Sequence, residues 1–262
     1  MTSIDESGRA AQSSVLVSMR EIEKRYGAIR ALREVNIDIR ALDVHAIVGD
    51  NGAGKSTLIK ILAGAIKADG GQVYVDGVEA QIGSPQAATR LGIATVYQHL
   101  ALVDSRTVAE NVFMGREPGP VWWVDRRRMS ADAESSLRDL EIANVGSVET
   151  EVASLSGGQR QAVAIARAIR EGARILVLDE PTAALGVRES RNVLDLIKRL
   201  KQRHVTVVLV SHDLPEVFEV ADRITVLRAG SVVGTRDKVT TTLNEIVSFI
   251  TGASIAAEPQ PV

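Results

Sequence analysis

His45 to Gly64 reads HAIVGDNGAGKSTLIKILAG, and the reading of this stretch decides the fold. A short apolar run, a glycine-rich turn and a renewed apolar period follow one another without a gap, the pattern of a strand that passes through a loop into a helix. Gly49, Gly54, Lys55 and Ser56 keep the spacing of a glycine, four free positions, a second glycine, a lysine and a hydroxyl residue. Glycines let the backbone curl until its amides point inward, and the helix start adds a positive end. The run Gly49, Asp50, Asn51, Gly52, Ala53, Gly54 is therefore a phosphate cradle. Lys55 is placed to reach terminal phosphates, the Ser56 hydroxyl to bind Mg2+, and Thr57 to extend the helix start. A glycine-rich turn that merely precedes a lysine is the plainer alternative, and the strand and helix on either side weaken it.

Outward from this stretch, short runs rich in branched residues stand at Val15 to Met19, Val35 to Ile39, Val73 to Val75, Ile93 to Val96, Ile175 to Leu178, Val205 to Val210 and Ile224 to Leu227. Several alternate with helical patterns, which predicts an α/β fold with a mostly parallel, helix-covered sheet. The early VNIDIR alternation and the QVYVDG turn predict an antiparallel β lead-in. Between Gln98 and about Arg170 the strand signal vanishes. Asp125 is placed to cap a helix through Leu140, and Gly157 to Ile169 is alanine-rich and helical. The expected organisation is a disordered lead over 1–14, a nucleotide-binding core over 15–98 and 171–240, a helical insert over 99–170, and a C-terminal helix and loose tail over 241–262.

Composition narrows the function. The 262 residues are 45% hydrophobic, and 31 basic against 33 acidic side chains leave a net charge of −2. No broad positive surface is available for nucleic acid, so none is expected as a partner. Cysteine is absent, which excludes disulfides and thiolate metal sites. The apolar runs are strand-length, so no membrane insertion is expected and any membrane contact goes through a partner.

Two further motifs carry chemistry. ILVLDEPTAALG, residues 175–186, is an apolar strand that ends in two acids, Asp179 and Glu180. Such a strand holds magnesium opposite a phosphate loop, so Asp179 is the expected metal ligand. Neighbouring strand residues point opposite ways, which leaves Glu180 free to orient an attacking water as general base. LSGGQRQ, residues 155–161, opens the alanine-rich helix with a hydroxyl and bare amides, a second anion site in one chain. One nucleotide does not need both sites from the same chain, which points to ATP sandwiched between two protomers.

With the phosphate loop, LSGGQ and LDEPT in this order, the chain resembles the nucleotide-binding subunits of ATP-binding cassette transporters from about Val15 to Val239. The resemblance implies a P-loop NTPase (RecA-like) core and ATP hydrolysis with Mg2+. It further implies that Tyr26 in KRYGAIRAL stacks on adenine, that Gln98 in TVYQH contacts magnesium and water at a hinge, and that His212 in VLVSHDL stands near the terminal phosphate. Ser156, Gly157, Gly158 and Gln159 would meet the nucleotide across the dimer. The phrases GDNGAGKST, VYQHLALVDSRTVAENVFMGRE and EPTAALGVRE are similar to the branch that imports ribose-, xylose- or fructose-type monosaccharides. Its implied partners are a second cassette as a homodimer, integral-membrane permease subunits and, indirectly, a sugar-binding protein, at the cytoplasmic face of the inner membrane. A non-sugar importer, an exporter, and a soluble cassette ATPase acting on ribosomes or DNA stay open as alternatives.

The chain departs from the wider family where Leu42 and Asp43 replace a Gly-Glu turn, and where Gly186 replaces an aspartate implied in communication across the dimer. Trp122 and Trp123 either contact the membrane subunit or pack onto their own helical insert. Arg126 to Arg128 read as a solvated helix face.

Overall fold

The computed structural model describes residues 14–120, 122–142 and 145–253. The expected lead before residue 14 and tail after residue 253 lie outside the described residues. Two sheets organise the chain. β1 (Val15–Tyr26), β2 (Ile29–Arg40), β4 (Gly70–Val75) and β5 (Val78–Glu79) form an antiparallel sheet in the order β2-β1-β4-β5. β3 (Val44–Val48), β6 (Ile93–Val96), β7 (Ile175–Asp179), β8 (Thr206–Val210), β9 (Arg223–Arg228) and β10 (Ser231–Asp237) form the second, in the order β10-β9-β3-β8-β7-β6. All its pairings are parallel except β10 with β9.

The central strands are apolar on both faces because both faces are covered. On β7, Ile175 and Val177 point toward the antiparallel sheet, where Val17, Met19 and Ile22 of β1 and Leu58 and Ile59 of α1 (Lys55–Leu62) form one core. Leu176 and Leu178 point the other way, into a core shared with α5 (Gly157–Arg170), α6 (Val187–Gln202), α7 (Leu214–Val220) and α8 (Leu243–Thr251). The pleat thus splits one strand between two cores. His45 on β3 is wholly buried and meets the Thr225 hydroxyl through Nε2 at 2.7 Å. Burial, reinforced by Arg223, pushes its imidazole down to about 3. It is neutral and structural.

α2 (Pro85–Arg90) leads into β6, and between β6 and β7 stand α3 (Val108–Phe113), α4 (Arg126–Asp139) and α5. Asp125 caps α4 by accepting from the Arg128 amide at 3.0 Å. Thr107 and Glu110 close a capping box at the start of α3, and Ser156 and Gln159 close another on α5. Trp122 and Trp123 are 85% and 69% exposed, so they do not pack onto this helical insert.

The turn between β2 and β3 resolves the first departure from the family. Leu42 adopts φ 65°, the left-handed conformation that a glycine would take without strain, and its amide donates to Thr206 Oγ1 at 2.9 Å. The leucine thus stands in a backbone conformation that suits glycine. Leu42→Gly is expected to stabilise the chain by about 0.5–1 kcal/mol through relief of that strain. The readout is a higher urea midpoint at unchanged m; a lower midpoint would show that the half-exposed side chain matters more than the backbone.

Candidate functional site

The phosphate loop leaves β3 through positions that tolerate no side chain. At Gly49, φ is 150° and an added Cβ would lie 2.1 Å from the Leu227 carbonyl oxygen; at Gly54, φ is 106° and it would lie 2.7 Å from that of Ala31. The turn between β9 and β10 braces the loop from outside, where the Gly230 amide donates to the Ala53 carbonyl at 3.0 Å. Gly54 occupies the N-cap of α1 with no side-chain cap, and no acid stands in the first turn. The first amides of this helix therefore face the loop without an internal acceptor from a side chain, the arrangement that favours an anion. Lys55, 7% exposed, donates through Nζ to the carbonyls of Gly49 at 2.7 Å and Asp50 at 3.1 Å, which holds the ammonium across the loop.

A cavity of about 590 Å³ opens over this loop. Asn51 to Thr57 form its floor, and Tyr26, Gln98, Asp179, Glu180 and His212 line its walls. Gly49 and Asp50 line an adjoining hollow instead and contribute their carbonyls to Lys55. Tyr26, the last residue of β1, is 48% exposed, with Lys24 Nζ 5.8 Å from its ring centroid. It presents a free aromatic face at the rim.

Strand β7 ends at Asp179, so the pleat does not orient Glu180. Glu180 instead takes a left-handed turn at φ 51°, while its amide continues the ladder to the Val210 carbonyl at 2.9 Å. That turn carries the Glu180 side chain toward His212, while both carboxylates stay on one cavity. Glu180 Oε2 lies 2.7 Å from Nδ1 of His212, two residues beyond the paired end of β8. Burial, and then the charge of Glu180, hold the Asp179 carboxyl above its usual range, against the pull of Lys60 and Lys55. Asp179, the Ser56 hydroxyl and the Gln98 amide are oxygen donors on one cavity. A hard cation such as Mg2+ fits that donor set, since Mg2+ takes one or two protein oxygens beside phosphate and water.

The third motif, the LSGGQ signature, stands apart. Ser156, Gly157, Gly158 and Gln159 form the start of α5 and do not line the cavity. Gly157 and Gly158 are small because α6 and the turn before it press on them: an added Cβ would lie 2.6 Å from Leu185 Cδ2 and 3.0 Å from Glu189 Cβ. Gly186, the N-cap of α6, has φ −73° and open space where a Cβ would stand, so its backbone does not demand glycine. The structure also adds Arg30 and Arg33 to the cavity wall. Both lie in the KRYGAIRAL stretch or just beyond it, at the second and fifth positions of β2, but only the pairing of β2 with β1 turns them toward the loop.

These features define a nucleotide-binding cassette, and comparison with known proteins agrees. The family profile for ABC transporters matches residues 32–183. Over 253 residues the chain is 43% identical to the fructose import ATP-binding protein FrcA of Rhizobium meliloti, covering 93% of this chain and 96% of that one. It is 45% identical to the ribose import ATP-binding protein RbsA 1 of Rubrobacter xylanophilus, covering 92% of this chain but 48% of that protein, so it spans about half the length of such ribose relatives. A dimeric ATP-binding cassette solved in a post-hydrolysis state with ADP and phosphate superposes with a TM-score of 0.71 at 28% identity, over 85% of this chain and 99% of that one. The chain belongs to the ABC transporter family.

The raised Asp179 carboxyl sets a pH signature. Because the folded chain disfavours its ionisation, its contribution to stability is fullest below the ordinary value of 3.8 and is lost as pH rises toward the folded value. Asp179→Asn is therefore expected to melt higher than the parent without nucleotide, by a margin that opens as pH rises above 3.8 and levels off once pH has passed the folded value. Melting curves across that range decide it, and a margin that shrinks with pH would refute the assignment.

Proposed function

We propose that this chain is the ATP-hydrolysing subunit of an ABC importer that takes up a monosaccharide through a membrane permease. The observation that carries the reading is the convergence of the phosphate loop, Asp179, Glu180, Gln98 and His212 on one cavity. In this reading the loop amides and Lys55 cradle the phosphates, and Tyr26 stacks on the adenine. Asp179, Ser56 and Gln98 hold Mg2+, which when bound neutralises phosphate charge. Glu180 accepts a proton from the water it orients toward the terminal phosphate, and His212 fixes the carboxylate from 2.7 Å. Catalysis is then chiefly positioning and charge compensation.

Ser156, Gly157, Gly158 and Gln159 complete the site from a second copy of the chain, and two copies close on two ATP. The sugar-importer names of the relatives and their identity across the chain support the direction of transport and the substrate class. Among the described residues no helix is long and apolar enough to cross a membrane, so the permease partner provides the path. The working place is the cytoplasmic face of the membrane.

Glu180→Gln is expected to bind ATP as the parent does and to lose turnover by about 10²-fold or more, and His212→Ala by about tenfold with nucleotide affinity held within about twofold. Phosphate release and equilibrium nucleotide binding measure both, and parental turnover in Glu180→Gln would remove the base assignment. The transport reading is tested in vesicles that hold the chain with its permease and binding protein. ATP-dependent accumulation of a pentose or hexose is expected; ATP hydrolysis without uptake of any monosaccharide would overturn the sugar assignment and leave the ATPase standing.

A further inference from the structure

The start of α5 already carries an anion, and it comes from the same chain. Glu189 is the third residue of α6 and reaches back to its own N-cap, with Oε2 3.4 Å from the Gly186 amide. This is one half of a capping box, since Gly186 has no side chain to return the bond. Yet the Glu189 stem also lies across the glycines of the signature: a Cβ added to Gly158 would be 3.0 Å from its Cβ and 3.4 Å from its Cγ, and one added to Gly157 would be 3.9 Å from Oε2. The Ser156 hydroxyl first, then the Gly186 amide and to a lesser degree the Gly158 amide, hold this carboxyl below the usual range. Helix α5 has no acid in its own first turn, so Glu189 supplies the negative charge that its N-terminus attracts.

We propose that Glu189 is an internal stand-in for phosphate, seated over Ser156 to Gly158 in the separated chain and displaced when a partner's ATP docks there, so that it sets the ATP concentration at which two chains close. This rests on the reading that the signature of one chain meets the nucleotide held by the other. Two anions cannot share one set of amide and hydroxyl donors without repulsion, and the carboxylate is tethered while the nucleotide must arrive from solution. Closure therefore has to move Glu189 off the glycines. A side chain that only tied α6 to α5 would have the opposite effect, since its removal would loosen the cradle and hinder closure.

The full chain carrying Glu180→Gln, in which bound ATP is not turned over, is titrated with ATP and Mg2+ and its dimer fraction followed by analytical ultracentrifugation. Adding Glu189→Gln, which keeps the shape and removes the charge, is expected to lower the half-saturating ATP concentration about fivefold, with the gap narrowing in high salt. Glu189→Asp keeps the charge but shortens the reach, and is expected to fall between the two. An unchanged or higher half-saturating concentration in Glu189→Gln would overturn the proposal. Ser156→Arg in the same background separates the two levels of the argument. If it abolishes ATP-driven dimers while Glu189→Gln gives no gain, only the role of Glu189 falls. If Ser156→Arg still dimerises with ATP, the sandwich reading fails and takes the proposal with it.

Discussion

The chemistry of this cassette hangs on a single hydrogen bond, from the amide of Glu180 to the carbonyl of Val210 at 2.9 Å. It extends the parallel pairing of β7 with β8 one residue beyond the last strand position, where Asp179 faces Val210. Because Glu180 makes that bond from a left-handed backbone, its side chain leaves the strand direction and meets His212, which follows β8. Strand pairing thus brings an acid and an imidazole 32 residues apart in sequence to 2.7 Å. A non-glycine residue in that conformation is strained, and strain of this kind persists only where the surrounding structure over-determines it. Here the two buried cores on either side of β7 supply the rigidity.

The same end of the sheet gathers negative charge that the protein does not fully compensate. Asp179 feels both burial and Glu180, and of the two lysines that pull the other way, Lys60 and Lys55, the second is committed to two backbone carbonyls. Such a cluster is unfavourable alone, and under the proposed function a divalent cation and a phosphate chain arriving together would relieve the electrostatic tension that folding builds. The glycines of the loop serve the same end from the opposite wall. Their missing side chains let Leu227 and Ala31 approach within distances that forbid a Cβ, and this fixes where the amides point.

Much of this was legible in the sequence because local chemistry wrote it there. The phosphate loop announced itself through glycine spacing, the caps at Asp125 and Ser156 through residue type, and the central strands through apolar runs covered on both sides. What escaped needed pairing or packing to appear. β10 and the outer parts of β1 and β2 are half-exposed and mixed in character, so their periodicity is weak. Strand alternation predicts that Glu180 points away from Asp179, but the strand ends at Asp179 and a left-handed turn sets the direction of Glu180, with both carboxylates on one cavity. Arg30 and Arg33 reach the cavity only through the register of β2 on β1. Leu42 shows the converse: a leucine at a glycine position reads as a changed turn, yet it stands in a backbone conformation that suits glycine, with its amide bonded to Thr206.

The segment from Glu180 to Glu189 joins these themes. Its first residue belongs to the cavity, and its last lies across the glycines that start α5. Ten residues therefore connect the acid that would act on one nucleotide to the cradle that would receive another. Gly186 sits inside this connection without a steric reason to be glycine, as an N-cap whose amide is taken by Glu189. An aspartate there would accept from the amide of the third helical residue, a donor other than the one Glu189 serves, and would add a second negative charge beside the Glu189 carboxylate. Glycine instead leaves Glu189 facing both helix starts without the like charge an aspartate would add, so the exchange and the position of Glu189 over Ser156 to Gly158 act in the same direction.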